Sequence, residues 1–245
     1  MHMDGVEPSK SIVVPLPVPA LLSFVAGYVD SCTYLALFGS FVAQLTGSFV
    51  LGGVQFVSIE PGALAKQLAI PCFFVVGALI TVLVHFLRER PRLALACSLG
   101  AEFILLVAFL TCLASVPFRG PDEPRAVVAL LLGITAMGAQ SALVRLLMRG
   151  VASTNVMTTN TTMLAISATQ TLLGWIGSRK EGPNEKRPYA GARRDLTDLL
   201  PIVMGFVTGT ICGAVAYANV GLFCLLLAIL PVGILALSSL RPSAL

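Results

Sequence analysis

The sequence predicts an all-α integral membrane protein, a helical bundle of six full spans plus two re-entrant or broken segments, built from an internal duplication read as inverted. Three observations carry this reading. Only 11% of the 245 residues are charged against 56% hydrophobic, and mean hydropathy is +0.90; soluble domains carry about 25% charged residues, so a water-exposed fold would lack the polar surface to cover itself. Several stretches approach or exceed the roughly 18 apolar residues that cross a bilayer. Two further stretches are long enough but polar and interrupted by glycine.

The N-terminal "MHMDGVEPSKSIVVPLPVPA" has acids and one lysine before a proline-rich entry, unlike a cleavable signal, so the first span, Pro17 to Phe38, acts as its own insertion signal. The first polar stretch, Phe41 to Ile59, holds Gln44, Thr46, Gly47 and Ser48. Full spans follow at Leu68 to Leu87 and Leu93 to Pro117, separated by the basic "RERPR", and then at Ala126 to Met148. The second polar stretch, Val151 to Ile176, carries Thr154, Asn155, Thr158, Thr159, Asn160 and Thr161. A hydrophilic insert, residues 178–198, precedes the last two spans, Leu199 to Ala218 and Leu222 to Leu240. The whole of 1–245 reads as one membrane domain. The six cysteines lie singly in apolar surroundings without metal-type spacing and read as buried free thiols.

Two halves, 17–115 and 126–240, resemble one another. Gly27 and Gly39 have the same spacing as Gly138 and Gly150, each pair is followed by a Thr-rich cluster, and "FVVGALITV" from Phe74 matches "FVTGTICGA" from Phe206. If all eight stretches cross the membrane, the halves are parallel; if the two polar stretches enter and leave on one side, each half crosses three times and the halves are inverted. The eight-span alternative leaves Arg88, Arg90, Arg92, Arg145 and Arg149 outside, whereas six spans leave only Lys66, Arg119 and Arg125 there. Positive charge prefers the inner side, so six spans with both termini cytoplasmic is the expected topology.

The ordered pattern "AGYVDSCTYLAL", "FVAQLTGSFVLGG", "GAQSALVRLL" and "TNVMTTNTTMLA" resembles the bacterial YoaK-type family of multi-pass membrane proteins over nearly the whole chain. The resemblance implies an inner-membrane protein of a family whose biochemical role is uncharacterised. The chain departs from the family pattern at Ser48, Ser141, Thr159 and Asn160, which implies altered hydrogen bonding at the two turns.

Two carboxyls lie inside spans. Asp30 is about 20 Å from the inner end of the first span, and Glu102 is near the middle of the third full span, at 1.5 Å per residue. A charge at the bilayer centre costs at least about 2.5–3.5 kcal/mol, so each acid is a candidate for a solute or proton site, the alternative being a structural acid satisfied by a neighbouring helix. Gln140 and Arg145 of "GAQSALVRLLMRG" join the candidate site, Arg145 serving otherwise as a topology anchor that snorkels to the headgroups. Gln44, Thr46, Gly47, Ser48, Thr158, Thr159 and Asn160 complete it, as two pseudo-symmetric hairpins binding a small polar solute or ion; the structural alternative is hydrogen bonding between helices. Gly205, Gly209 and Gly213 form a small-residue face for helix packing.

No phosphate loop, nucleophile elbow, zinc motif or dinucleotide fingerprint is present, so no enzyme, cofactor or metal is expected. The net charge of +4 comes from short basic loops and does not indicate nucleic acid. The expected function is a small secondary transporter or permease for a polar solute or ion, its partners the lipid bilayer and other copies of itself. A non-transporting scaffold or regulatory protein, and an intramembrane enzyme built on Asp30 and Glu102, are the alternatives.

Overall fold

A computed structural model describes residues 15–58, 61–115, 118–148, 150–177 and 191–240, and among them every regular element is helical. In chain order these are α1 (Pro17–Ala36), α2 (Leu45–Val54), α3 (Ala63–Phe86), α4 (Pro91–Ser115), α5 (Pro124–Leu147), α6 (Met157–Gly177), α7 (Ala192–Val220), a 3₁₀ turn (Gly221–Leu225) and α8 (Leu226–Ser239). Residues 178–190 of the hydrophilic insert lie outside the described residues, as do Lys10, Arg149, Arg179, Lys180, Lys186, Arg187 and Arg241 of the charge comparison. In the described part of the insert, Gly191 caps α7, which starts at Ala192, ahead of the expected Leu199.

Local chemistry explains where several helices start and stop. Pro17 and Pro124 open α1 and α5, where a fixed φ suits the first turn and the missing N–H has no helical partner to lose. α7 stops at Gly221, whose φ of +69° is left-handed. Pro71, Pro201 and Pro231 sit inside α3, α7 and α8, each removing one backbone hydrogen bond.

Five helical stretches are long and apolar enough to cross a membrane: α1, α3, α4, α5 and Ala192–Ser239, which spans 48 residues and contains the break at Gly221. The two helices outside that group are those of the polar stretches. α2 has 10 residues, about 15 Å at 1.5 Å each and half a bilayer core. α6 has 21 residues but starts in "MTTNTT". Large apolar side chains such as Phe74, Leu79, Phe86, Ile211, Val215, Ile234 and Leu237 face outward, as membrane helices require.

The tightest seam joins α1 to α7. A side chain at Gly205 would stand 2.5 Å from the Ala20 carbonyl oxygen, one at Gly213 would stand 2.6 Å from that of Tyr28, and Gly209 lies against Phe24 O between them. The small-residue face therefore packs within the chain, backbone on backbone. The order of these pairs shows that α1 and α7 run in the same direction.

α1 and α5 run in opposite directions. Leu22, early in α1, accepts from Gln140, late in α5. Val42, held beside Asp30 late in α1, lies against Gly133, which precedes Gln140. α3 packs on α5 as α7 packs on α1, α2 packs on α3 as α6 does on α7, and α4 lies between α5 and α8.

Candidate functional site

The first turn begins where α1 ends. Leu37 leaves helical geometry while its N–H still reaches Thr33 O, and Gly39, with φ +76°, turns the chain back along α1. That return brings the N–H groups of Val42 and Ala43 to Asp30, whose Oδ1 accepts both at 2.8 Å. Gln44 Nε2 donates to Oδ2 at 3.4 Å. Asp30 is 2% exposed, so these donors replace the water its carboxylate has lost.

The second turn repeats the backbone with different side chains. Met148 leaves helical geometry with its N–H on Val144 O, and Gly150 has φ +78°. The position matching Asp30 is Ser141, and its Oγ accepts from Asn155 Nδ2 at 2.9 Å, as Asp30 accepts from Gln44. Asn155 Nδ2 also reaches Met137 O at 3.2 Å, and Thr154 Oγ1 donates to Asn155 Oδ1 at 3.0 Å. Gln140, fully buried, donates through Nε2 to Leu22 O and Thr154 Oγ1, both at 3.0 Å, with Asn155 Oδ1 at 3.2 Å. Ser23 Oγ donates to Ile202 O at 2.8 Å, tying α1 to α7 beside Thr154. Asn160 Nδ2 closes the turn on Ser153 O at 2.6 Å.

Three side chains among the described residues have buried polar atoms without a partner, one of them Gln55 through Nε2. Gln140 Oε1 is buried without a partner, and so are both carboxyl oxygens of Glu102. Glu102 is the twelfth of the 25 residues of α4 and has no exposed surface.

The remaining sequence candidates scatter. Thr46 and Gly47 are exposed in the first turn of α2, and Ser48 is buried there. Nothing lies within 4 Å of a side chain built at Gly47, so the glycine that shapes this turn is Gly39. Thr158 and Thr159 are exposed at the start of α6. Arg145 is exposed in the last turn of α5, where its charge suits the negative end of the helix dipole; no ion pair joins it to Asp30. No hydrogen bond joins Glu102 to Asp30, and among the described residues no three His, Cys, Asp or Glu side chains cluster as a metal site would need.

Sequence reasoning missed the donors that matter most at Asp30, the backbone N–H groups of Val42 and Ala43, and it missed Ser23. Backbone donors leave no trace in side-chain identity. The glycine pairs were the available signal, since Gly39 and Gly150 mark where each chain turns back.

The family described as "Protein of unknown function (DUF1275)" matches residues 18–238, all but the first residue of α1 and the last of α8. The chain belongs to this family. No curated protein and no solved structure matches it. Membership is consistent with the apolar helices of a membrane protein, and the family has no characterised activity.

Proposed function

We propose that this DUF1275 protein is a small inner-membrane permease for a polar solute or ion, working as a homo-oligomer because six short helices barely enclose a pathway. The observation that carries the proposal is Glu102: a fully buried carboxyl near the centre of an apolar helix, both of its oxygens without a partner. Insertion alone costs about 2.5–3.5 kcal/mol for such a group, and no bond in the fold offsets it. A residue kept at that cost is read as functional by default.

In this reading α1, α3, α4, α5, α7 and the 3₁₀ turn with α8 cross the membrane, while α2 and α6 enter without crossing, and both termini are cytoplasmic. The opposed directions of α1 and α5 support it, because with alternating crossings α5 opposes α1 only if α2 does not span. The matched helix ends, the similar φ angles of Gly39 and Gly150, and the exchange of α1·α7 for α5·α3 support an inverted duplication. Inverted halves with interrupted segments are a recurring transporter arrangement. A second reading, a static membrane scaffold, is favoured by one observation: the turns around Asp30 and Asn155 have nearly all their hydrogen bonds made within the fold.

Reconstitution separates the two. Proteoliposomes should take up labelled polar solutes or ions under a pH or salt gradient, and Glu102→Gln should abolish the uptake while leaving the amount of folded protein unchanged. Uptake equal to that of empty liposomes across solute classes would favour the scaffold.

A further inference from the structure

We propose that Glu102 and Gln140 together form a site for one monovalent cation, a proton or an alkali-metal ion, held between α4 and α5. The inference deepens the permease reading, on which it rests for its purpose, by naming what the Glu102 carboxyl carries.

Register sets the two residues at the same level of the antiparallel pair α4 and α5. α4 and α5 are joined by a short connection and run antiparallel: Phe109 packs on Gly133, and Cys112 Sγ, later in α4, reaches Arg125 O, earlier in α5. Seven residues is about two helical turns, so it returns to the same face. Seven residues back from Phe109 is Glu102, and seven residues on from Gly133 is Gln140. An independent route agrees. The hairpin between α3 and α4 turns over Leu87 to Arg90, which sets Val76 level with Ala101 and Glu102, and Val76 packs on Gly138, two residues from Gln140.

The chemistry of the pair is one-sided. Both hydrogens of Gln140 Nε2 are engaged by Leu22 O, Thr154 Oγ1 and Asn155 Oδ1, which fixes the amide with Oε1 as its remaining, unpartnered atom. Glu102 adds two more unpartnered oxygens. Ser98, one turn before Glu102 and fully buried, gives its hydroxyl proton to Ala94 O, so toward Glu102 it too offers only lone pairs. A site of acceptors alone takes a donor or a cation and repels anions. One carboxylate balances one positive charge, whereas a divalent ion would leave net charge in a low-dielectric interior. Asp30 is not such a site, because its donors come from its own turn.

Infrared spectra of the purified full-length protein, compared with those of Glu102→Gln and Gln140→Leu, test the site without requiring flux. A proton predicts the carbonyl stretch of a protonated acid, absent from Glu102→Gln and moved to higher frequency in Gln140→Leu as the bond to Oε1 is lost. An alkali-metal ion predicts a carboxylate stretch that responds to sodium chloride and not to choline chloride, with a sodium-dependent rise in thermal midpoint that Glu102→Gln removes. A Glu102 signal indifferent both to sodium and to Gln140→Leu overturns the proposal. Flux is scored separately: a positive spectrum without transport removes the permease and leaves the site, whereas transport unchanged by Glu102→Gln with a silent spectrum removes the site alone.

Discussion

Asp30 and Glu102 are both buried carboxyls in apolar helices, yet one has hydrogen-bond donors and the other has none. Asp30 holds the N–H groups of Val42 and Ala43, donors that would otherwise be left unsatisfied in the interior. Asp30→Ala should therefore lower unfolding stability by about 2–5 kcal/mol, the cost of stranding two buried donors, while Asp30→Asn, which keeps an acceptor, should lose about 1 kcal/mol. Denaturant titration of the purified protein in a fixed detergent reads both values; an alanine variant as stable as the parent would show that the turn does not depend on this carboxylate. Glu102→Gln should cost less than about 1 kcal/mol, since a charge-capable group leaves the interior and the new amide N–H can donate where a protonated carboxyl would. The contrast between the two variants, stability lost at Asp30 and activity lost at Glu102, is the sharpest residue-scale expectation.

Among the helices, the α1–α7 and α3–α5 seams differ in how closely their backbones approach. α1 and α7 touch through Gly205, Gly209 and Gly213, where an added methyl group would meet carbonyl oxygens that cannot move independently of the helix. On α3 the corresponding positions are Phe73, Gly77 and Thr81; nothing lies within 4 Å of a side chain built at Gly77, and an apolar groove lined by Pro71, Cys72, Val75, Val76, Leu79 and Thr135 opens beside α5. Gly209→Ala should thus destabilise by about 1–3 kcal/mol through overpacking, whereas Gly77→Ala should be neutral or stabilise by up to about 1 kcal/mol. Thermal unfolding followed by circular dichroism distinguishes them, and equal losses at both glycines would mean that the seams are equally close.

For the molecule as a whole, the proposed six-crossing arrangement would place "RERPR" and the N-terminus on one side of the membrane. A cysteine introduced at Glu89, which is exposed between α3 and α4, should resist a membrane-impermeant maleimide applied to the periplasmic face of cells and react after permeabilisation. Ready labelling of intact cells would instead favour eight crossings. The same experiment at Gly120, in the connection before α5, should give the reverse result.

Much of the architecture was legible because membrane insertion writes itself into composition. Low charge and long apolar runs are properties of consecutive residues, so the apolar helices and the two polar stretches could be read one segment at a time. The glycine pairs Gly27/Gly39 and Gly138/Gly150 likewise marked two turns, where both later glycines adopt left-handed φ. What consecutive residues cannot express is which atoms meet after the chain returns. Asp30 and Glu102 look alike as acids in apolar sequence; only the turn at Gly39, which swings two backbone N–H groups onto one of them, separates a satisfied carboxylate from an unsatisfied one. The sequence by itself determined the helical membrane class, the segment order and the candidate polar atoms. Tertiary structure alone decided that the glycine face packs on α1, that α1 opposes α5, and that Glu102 and Gln140 keep oxygens without donors, because each of these depends on distances between residues far apart in the chain.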